Sequence, residues 1–425
     1  MACAQIADYL GPGVASTGAG TIGQRSGQDL SIRMFGGINA IRDTGLVPFA
    51  TDSTGKLANV KSLYGTEVNI GAYGAHLWRR VRLGLDYSGG YRRYTQSTSY
   101  NGTNQGLTLG VTYQQSKRIV LDSQLSAATV NQGSQLVGIG SGIVDGIASP
   151  TSLLFDNRYI QVQVGTDVNY IASAKTVYSF GGTGYTIHRG TSALAGVNGY
   201  TLRGNVKHRL SRSTTVVVGY QHTHYDYPRS FGEADINQFT SGISKRIGRD
   251  WDVSLSGGAY QIQTQGVESV AVDPAIAALL GTATASRTFY KVTWLPTIAA
   301  SINRTFRRST WSANYSRGTS PGNGLYLASQ QESYGSGYSY TGIRKWSLSI
   351  SVNRSTLSSV AQLLSDYESN SASASISRTL PYGLHLSGEF QLRQQKLALG
   401  GFNRTGTRTS INLSYSPGDI PISFH

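Results

Sequence analysis

The stretch VRLGLDYSGGYRRY, residues 81–94, alternates apolar and polar side chains with a period of two residues. Its apolar positions are Val81, Leu83, Leu85, Tyr87 and Tyr91, and its polar positions include Arg82, Asp86, Ser88 and Arg92. Because successive side chains of a β-strand point to opposite faces of the sheet, this spacing predicts a strand with one apolar and one polar face.

The same alternation recurs along nearly the whole chain after a Gly/Ser/Thr-rich lead at residues 5–27. We count about 18 predicted strands of roughly 10–16 residues, and a tilted strand needs about 9–11 residues to cross a bilayer. The predicted spans are 29–43, 64–78, 81–94, 105–117, 118–131, 158–171, 176–189, 198–210, 213–227, 237–247, 251–264, 287–304, 308–319, 330–343, 345–357, 367–378, 382–397 and 404–417.

The connections between these strands alternate between short and long. Short turns are predicted near 79–80, 117–118, 172–175, 211–212, 248–250, 305–307, 344 and 379–381, whereas the connections at 44–63, 132–157 and 265–286 are much longer. Outer-membrane barrels have short periplasmic turns and longer extracellular loops. The pattern therefore predicts an all-β, antiparallel up-and-down barrel whose even strand count leaves both termini in the periplasm.

Tryptophan and basic residues gather at the short turns. Four of the five tryptophans lie beside them, namely Trp78, Trp251, Trp311 and Trp346. Tryptophan prefers a membrane–water interface, and cations there meet anionic lipid headgroups. We therefore expect these four residues to anchor the barrel at one membrane interface.

Composition agrees with a membrane barrel. Only 14% of the residues are charged, against roughly 25% in ordinary soluble domains. No stretch approaches the ~18 consecutive apolar residues of a membrane helix, which excludes an α-helical membrane protein. The net charge of +15 would by itself fit nucleic acid, an anionic membrane face or an anionic ligand. Because the basic residues gather at turns beside tryptophan, with no helix or stacking platform for bases, we favour lipid headgroups over nucleic acid.

On this pattern, the chain resembles a bacterial outer-membrane β-barrel of the porin-like class over residues 29–417. The resemblance is architectural and identifies no specific member. It implies a multi-pass protein in outer-membrane lipid, inserted by the barrel-assembly machinery. Barrels of this class often end in an aromatic residue that this machinery reads; here Phe424 is penultimate and His425 follows. A soluble β-solenoid or sandwich would not explain the alternating connection lengths or the tryptophan and arginine at one end.

The N-terminus suggests processing. Ala-Cys-Ala at residues 2–4 has the small-x-small pattern that precedes a signal-peptidase cut, although the preceding charged and apolar regions are absent. Residues 1–4 are interpreted as the remnant of a signal peptide; an incidental Ala-Cys-Ala at an ordinary start is an equal alternative, and a lipid-modified Cys3 is less favoured. The expected organisation is a flexible periplasmic segment at 5–27, the barrel at 28–417 and a periplasmic tail at 418–425.

The polar faces predict a basic lumen. Nine basic residues are assigned to the inner face: Arg33, Arg82, Arg92, Arg118, Arg203, Lys207, Lys291, Arg393 and Arg408. The carboxylates assigned inward are fewer: Asp86, Asp122, Asp167 and Glu389. The predicted pore should therefore favour anions.

One loop segment predicts a gate. In DPAIAALL, residues 273–280, Asp273 stands at an N-cap and Pro274 at the first helical position, which predicts a short helix. Its apolar residues include Ile276, Leu279 and Leu280. Residues 136–155 and 360–365 are similarly apolar. Such loops would narrow the mouth or dock a partner, and packing among the loops themselves is the alternative.

Motifs that would indicate an enzyme are weak. The glycine clusters GIGSGIVDG at 138–146 and GGTG at 181–184 lack the strand-to-helix context that phosphate binding requires. His222, His224 and Asp226 share one face of a predicted strand, but a further metal ligand or a nucleophile would have to come from elsewhere. We expect no catalytic residues, no metal and no cofactor.

The leading hypothesis is an outer-membrane channel for passive or gated passage of polar, preferentially anionic solutes. A first alternative is the barrel of a polysaccharide or other polymer export system, with a periplasmic export partner. A second alternative is a structural or adhesive barrel plugged by its loops. The solute and the oligomeric state stay open at the level of the sequence.

Overall fold

The computed structural model describes residues 30–44, 62–95, 100–130, 158–190, 194–228, 230, 232–271, 284–322, 324, 327–360, 366–397, 402–416 and 419–422. These residues form strands β1 Leu30–Asp43, β2 Leu63–Leu77, β3 Val81–Tyr94, β4 Gly102–Gln114, β5 Ile119–Val130, β6 Tyr159–Ile171, β7 Thr176–Arg189, β8 Val197–Arg209, β9 Thr214–Tyr227, β10 Gly232–Ile247, β11 Trp251–Ala271, β12 Thr284–Thr305, β13 Ser309–Ser320, β14 Ser329–Tyr340, β15 Trp346–Ser359, β16 Tyr367–Thr379, β17 Leu384–Leu397, β18 Phe402–Tyr415 and β19 Asp419–Ile422. A single turn of 3-10 helix covers Pro381–Gly383. Among the described residues, no helix is long and apolar enough to cross a membrane.

The strands form one closed antiparallel sheet. Each strand from β1 to β18 pairs with its neighbours in the chain, and β18 pairs with β1 from Gly36↔Tyr415 to Asp43↔Arg408. Closure gives every strand from β1 to β18 a partner on each side, so backbone hydrogen bonds are satisfied within the wall as a bilayer requires. An exception among the described residues is the first part of β12, residues 284–297, which pairs with β11 and extends beyond β13. The predicted 18-strand antiparallel up-and-down barrel is thereby confirmed.

The two largest differences from the sequence prediction are extensions of strands. Residues 265–286 were predicted as a loop, but β11 and β12 stay paired as far as Ala271↔Thr284. Residues 419–422 were placed in the periplasmic tail, but β19 pairs with the first residues of β1 from Leu30↔Ile422 to Arg33↔Asp419 and continues the line of β18. In both places cross-strand pairing satisfies backbone groups that a loop would leave to solvent.

The two faces of the wall differ as the alternation predicts. Large apolar side chains lie exposed on the outer face: Ile38, Val68, Leu125, Val164, Phe180, Leu202, Val218, Phe239, Leu255, Ile350 and Ile411 are examples. Polar side chains are buried on the inner face: Thr108, Ser126, Gln161, Thr223, Gln391 and Ser410 are examples. An outer apolar band around a polar interior is the arrangement of a transmembrane barrel.

The short turns all lie at one end of the barrel. Tight reversals there use left-handed backbone at Gly248 (φ 65°), Lys345 (φ 65°) and Tyr382 (φ 62°). Glycine adopts this conformation without steric cost, whereas lysine and tyrosine do so at some expense. We refer to this end as the short-turn end and to the opposite end as the long-loop end.

Candidate solute pathway

The inner face encloses a cavity of about 790 Å³. Its lining is dominated by neutral amide and hydroxyl side chains: Thr112, Gln124, Gln163, Thr183, Thr201, Gln221, Thr223, Gln238, Thr297, Ser316, Gln331 and Ser333. Sites that hold small organic molecules measure roughly 300–1,000 Å³. The cavity is therefore large enough for a small polar solute with part of its hydration shell.

The charges of the described lining nearly balance. Arg82, Arg203 and Arg317 line the cavity together with Asp122 and Asp167, which is three positive charges against two negative ones. Arg203 holds Asp167 in a two-pronged ion pair, with Nε donating to Oδ1 at 2.9 Å. Asp122 accepts a hydrogen bond from Asn169 Nδ2 at 2.8 Å. The cavity thus offers a small excess of positive charge in mostly neutral surroundings.

A short segment at the end of β13 crosses the long-loop mouth. Ala195 N, in the connection between β7 and β8, donates to Gly324 O at 3.0 Å. Tyr227 Oη, at the end of β9, donates to Pro321 O at 3.1 Å. Because β10, β11 and β12 stand between β9 and β13 in the wall, these bonds require the β13–β14 connection to reach inward across the mouth. We call the described residues of this connection, 321–322, 324 and 327–328, the crossing segment.

An apolar cluster holds the crossing segment in place. The cluster consists of Tyr185, Ile187, Ala195, Val197, Tyr225, Tyr227, Ala234, Ile236, Tyr260, Ile262, Ala328 and Val360, with Tyr159, Leu295 and Leu327 packed against it. Tyr260 and Ile262 have no exposed surface. Val360 N donates to Ala328 O at 3.3 Å, and Lys291 Nζ donates to Val360 O at 3.0 Å. The cluster therefore narrows the mouth from the side of β7–β12 with packed apolar side chains.

A second group of inward side chains is charged and buried. Asp43, Glu67, Arg92, Arg393 and Arg408, here called the arginine cluster, have exposed fractions of 0, 7, 2, 6 and 9%. Arg393 Nη2 donates to both oxygens of Asp43 at 2.7 Å. Arg92 donates to Glu67 Oε2 through Nε at 3.0 Å and Nη2 at 2.7 Å, and Arg408 Nη2 lies 3.7 Å from the same oxygen.

The arginine cluster changes the interpretation of three predicted selectivity residues. Arg92, Arg393 and Arg408 were expected to face an aqueous lumen as a diffuse positive field. The structure instead pairs them with Asp43 and Glu67 and removes them from solvent, because β17, β18 and β1–β3 bring these side chains together at the closure of the barrel. Neither carboxylate was assigned inward from the sequence.

Strands β13–β16 present a different inner surface. Their inward serines bond in pairs across strands: Ser316 with Ser333 at 2.6 Å, Ser347 with Ser377 at 2.5 Å, Ser349 with Ser375 at 2.7 Å and Ser351 with Ser373 at 2.8 Å. We call these eight serines the hydroxyl wall. Of these four strands, which are described in full, one charged side chain, Arg317 of β13, is among the residues that line the cavity. Apart from Arg317, this side of the lumen is polar and made of small neutral side chains.

The other predicted lumen residues fall in varied places. Arg82 and Arg203 line the cavity. Arg33 is the register partner of Tyr73 on the inner face. Lys207 is the register partner of Val177 and Val217 near the short-turn end. Lys291 is tied to the mouth through Val360. Arg118 is an exception, because it lies in the exposed turn between β4 and β5 and not within a strand.

The four predicted anchors lie at the short-turn end. Trp251, Arg304 and Trp311 are register partners in a row across β11, β12 and β13. The Trp251 and Trp311 rings meet edge to face with centroids 6.3 Å apart. Trp346 carries Arg378 above its ring at 5.1 Å, and Trp78 contacts His76 at 4.1 Å between centroids. Arginines stacked on tryptophan at a membrane boundary suit an interfacial girdle.

The remaining sequence hypotheses concern the loop gate and the histidines of β9. The gate segment, with Asp273, Pro274, Ile276, Leu279 and Leu280, lies outside the described residues, as do 136–155 and 361–365. His222 and His224 lie on the outer face, where His224 Nδ1 is 2.9 Å from Asp235 Oδ1 and His222 Nδ1 is 3.0 Å from Asn237 Oδ1. Among the described side chains, no group of three or more histidine, cysteine or carboxylate residues is arranged to hold a metal ion.

The crossing segment had a faint signal in the sequence. Residues 321–328 read PGNGLYLA, so a turn-forming pair of glycines stands beside an apolar run. That composition indicates a loop that packs on something apolar. It does not indicate the partner, which comes from strands more than ninety residues earlier in the chain, as the 94-residue separation of Tyr227 and Pro321 shows.

Comparisons with known proteins find similarity in structure only. No protein-family model matches the chain. No curated protein is significantly similar to it in sequence.

Among solved structures, Pseudomonas aeruginosa OccK5 (OpdH) is 11% identical, with a TM-score of 0.43 and coverage of 93% of this chain and 99% of that one. P. aeruginosa OccK2 (OpdF) in complex with glucuronate is 12% identical, with a TM-score of 0.43 and coverage of 91% and 98%. Acinetobacter baumannii OccAB2 is 11% identical, with a TM-score of 0.45 and coverage of 91% and 97%. TM-scores below 0.5 at such identities do not identify a family.

Proposed function

We propose that this protein is a porin-like channel of a bacterial outer membrane, which passes small polar solutes with a weak preference for anions. The observation that carries the proposal is the cavity of about 790 Å³ inside a closed barrel, lined by amides, hydroxyls and few charges. A barrel of about 18 strands leaves an aqueous channel after its inward side chains are accommodated. In a cavity of this polarity, a polar solute can replace its hydration shell with hydrogen bonds to the lining at little cost in free energy.

The anion preference is weak because most of the positive charge in the barrel does not reach the solute. Arg92, Arg393 and Arg408 are buried in the arginine cluster, where Asp43 and Glu67 offset two of their three charges. The cavity lining carries one more arginine than it has aspartates. Additional inward bases, such as Lys207, stand exposed near the short-turn end. We place the selectivity in these accessible groups.

The crossing segment is the gate in this proposal. It bridges the mouth through hydrogen bonds at Ala195 and Tyr227 and through apolar packing. Loop segments with few buried contacts open most easily, and a segment bridged at several points opens least easily. We therefore expect the channel to have a small unit conductance while the crossing segment is in place.

The short turns face the periplasm in this proposal. Arginines beside tryptophan at that end match an interface with anionic phospholipid. Tags inserted at 248–250 should be inaccessible from the cell surface, and tags at 228–231 accessible. The reverse labelling would contradict the orientation without affecting the barrel.

Conductance in planar bilayers tests the proposed channel. The full chain should conduct spontaneously and prefer chloride over potassium, and the preference should fade as salt rises because the Debye length falls from about 10 Å at 0.1 M to about 3 Å at 1 M. Deleting residues 322–327 should enlarge the unit conductance at least about twofold, since a channel's conductance follows the width of its constriction. If neither protein conducts, the proposal fails and the loop-plugged structural barrel takes its place.

A further inference from the structure

A basic site lies outside the solute pathway, on the outer face at the short-turn end. Trp251, Arg304 and Trp311 stand side by side on adjacent strands, and Phe306 follows two residues after the arginine. Leu255 follows Trp251 on the outer face of β11, and Ile302 precedes Arg304 on the outer face of β12. Both side chains are exposed and belong to the apolar band. The site therefore sits where the apolar band meets the turns.

Arg304 is held by aromatic rings rather than by an acid. Its guanidinium carbon lies 4.6 Å from the centroid of the Trp251 ring and 4.3 Å from that of Phe306. Its Nε is buried and has no hydrogen-bond partner among the described residues. A buried guanidinium N–H without an acceptor costs free energy, and stacking on the rings leaves the charge itself uncompensated.

The surroundings of Arg304 add positive charge. Arg249, Arg307 and Arg308 lie exposed in the two turns that flank the row. Asp250 is the acid of these turns, and Asp252 belongs to the inner face, where it accepts from Arg246 Nε at 2.9 Å. The row and its two flanking turns thus combine four arginines with Asp250 as their one carboxylate, where the outer apolar band meets the turns.

We propose that Arg304, with Trp251, Phe306 and Trp311, forms a binding site for the phosphate of an anionic phospholipid in the leaflet at the short-turn end. A guanidinium presents its N–H groups in one plane and matches a phosphate with two parallel hydrogen bonds. The aromatic rings fix that plane and pack against the glycerol and first acyl carbons. The site is independent of the proposed channel, because it faces lipid and touches no residue of the cavity lining.

The chain contains a matched control. Arg378 and Trp346 are register partners on β15 and β16, on the same outer face and at the same end. Arg378 lies over a single ring at the longer distance of 5.1 Å. If any interfacial arginine sufficed, the two sites would bind lipid equally well.

Lipid titration of the full chain in detergent, read by native mass spectrometry, tests the site. Wild-type protein should bind one phosphatidylglycerol about tenfold more tightly than phosphatidylcholine. Arg304→Gln should weaken that first binding step about tenfold, or about 1.4 kcal/mol. Arg378→Gln should change it less than about twofold, as expected for an exposed charge held by one ring.

Two further measurements make the test decisive. Arg304→Lys keeps the charge, so it should fold like the wild type in a heat-modifiable gel assay, yet bind phosphatidylglycerol several-fold more weakly because lysine cannot form the planar pair of bonds. Millimolar inorganic phosphate should fail to displace the lipid. Wild-type affinity in Arg304→Gln or Arg304→Lys, equal affinity for phosphatidylcholine, or displacement by inorganic phosphate would each overturn the proposal.

Discussion

The arginine cluster and the hydroxyl wall face the same barrel interior, but their polar groups are paired in different ways. At the closure of the barrel, Asp43 and Arg393 form a pair with almost no exposed surface. On β13–β16, serines such as Ser351 and Ser373 bond to each other and leave one side of the pair in reach of water. Breaking a buried ion pair costs much free energy, and the pair makes no contact with a solute. Breaking a pair of neutral hydroxyls costs little, and the hydroxyls are accessible to a solute.

An arginine that points into the barrel is therefore not necessarily a residue that sets ion selectivity. Inward direction follows from the period of two, but access to the lumen depends on which acids the neighbouring strands supply. Arg393 is neutralised by a carboxylate two strands away, across β18. Arg203 is also paired with an acid, yet it lines the cavity and remains part of the pathway.

Mutations in the arginine cluster should lower the free energy of unfolding much more than mutations in the hydroxyl wall. Asp43→Asn leaves the guanidinium of Arg393 buried without a counter-charge, and removing one partner of a buried pair costs about 3–5 kcal/mol. The free energy of unfolding, from urea titration followed by gel mobility, should fall by that amount. Ser373→Ala is the matched control, and a loss as large in the control would erase the distinction.

Replacing both partners of the buried pair should have a smaller effect than replacing one. Exchanging a buried ion pair for apolar residues of similar volume is often neutral for stability. Asp43→Leu combined with Arg393→Met should therefore recover most of the loss seen in Asp43→Asn, to within about 1 kcal/mol of wild type. If the double variant unfolds as easily as the single one, the pair contributes more than mutual neutralisation.

The smallest expected effect concerns the hydroxyl wall. Ser351→Ala removes one hydrogen bond, to Ser373 at 2.8 Å, and a net hydrogen bond contributes about 0.5–1.5 kcal/mol. Water can satisfy the remaining hydroxyl, so the loss should lie near the lower value. A loss above about 2 kcal/mol would show that the serines act as a cooperative network.

The strands were predictable from the sequence because a barrel wall imposes the period of two on every residue. The spans Val81–Tyr94 and Thr176–Arg189 match their predictions to the residue. The four-residue β19 escaped prediction, because two alternations cannot be distinguished from a polar tail. Residues 265–271 of β11 and 284–286 of β12 escaped it because they extend beyond the apolar band that makes the pattern visible.

The site was less predictable because its decisive contacts join distant parts of the chain. Arg393 meets Asp43 across 350 residues of sequence, and only the closing register of β18 on β1 brings them together. The crossing segment depends on Tyr227 and Ala195, which no local pattern connects to Pro321. The sequence specifies the direction of a side chain, and the pairing of strands specifies its neighbours.

In the proposed channel, accessible groups of the cavity, and not the arginine cluster, set ion selectivity. The most direct test is the reversal potential across a planar bilayer under a potassium chloride gradient at low salt. Neutralising Arg82 and Arg203 by glutamine should shift the reversal potential toward potassium, whereas the Asp43→Leu, Arg393→Met variant should give the wild-type value. A shift in the second variant with none in the first would contradict the account.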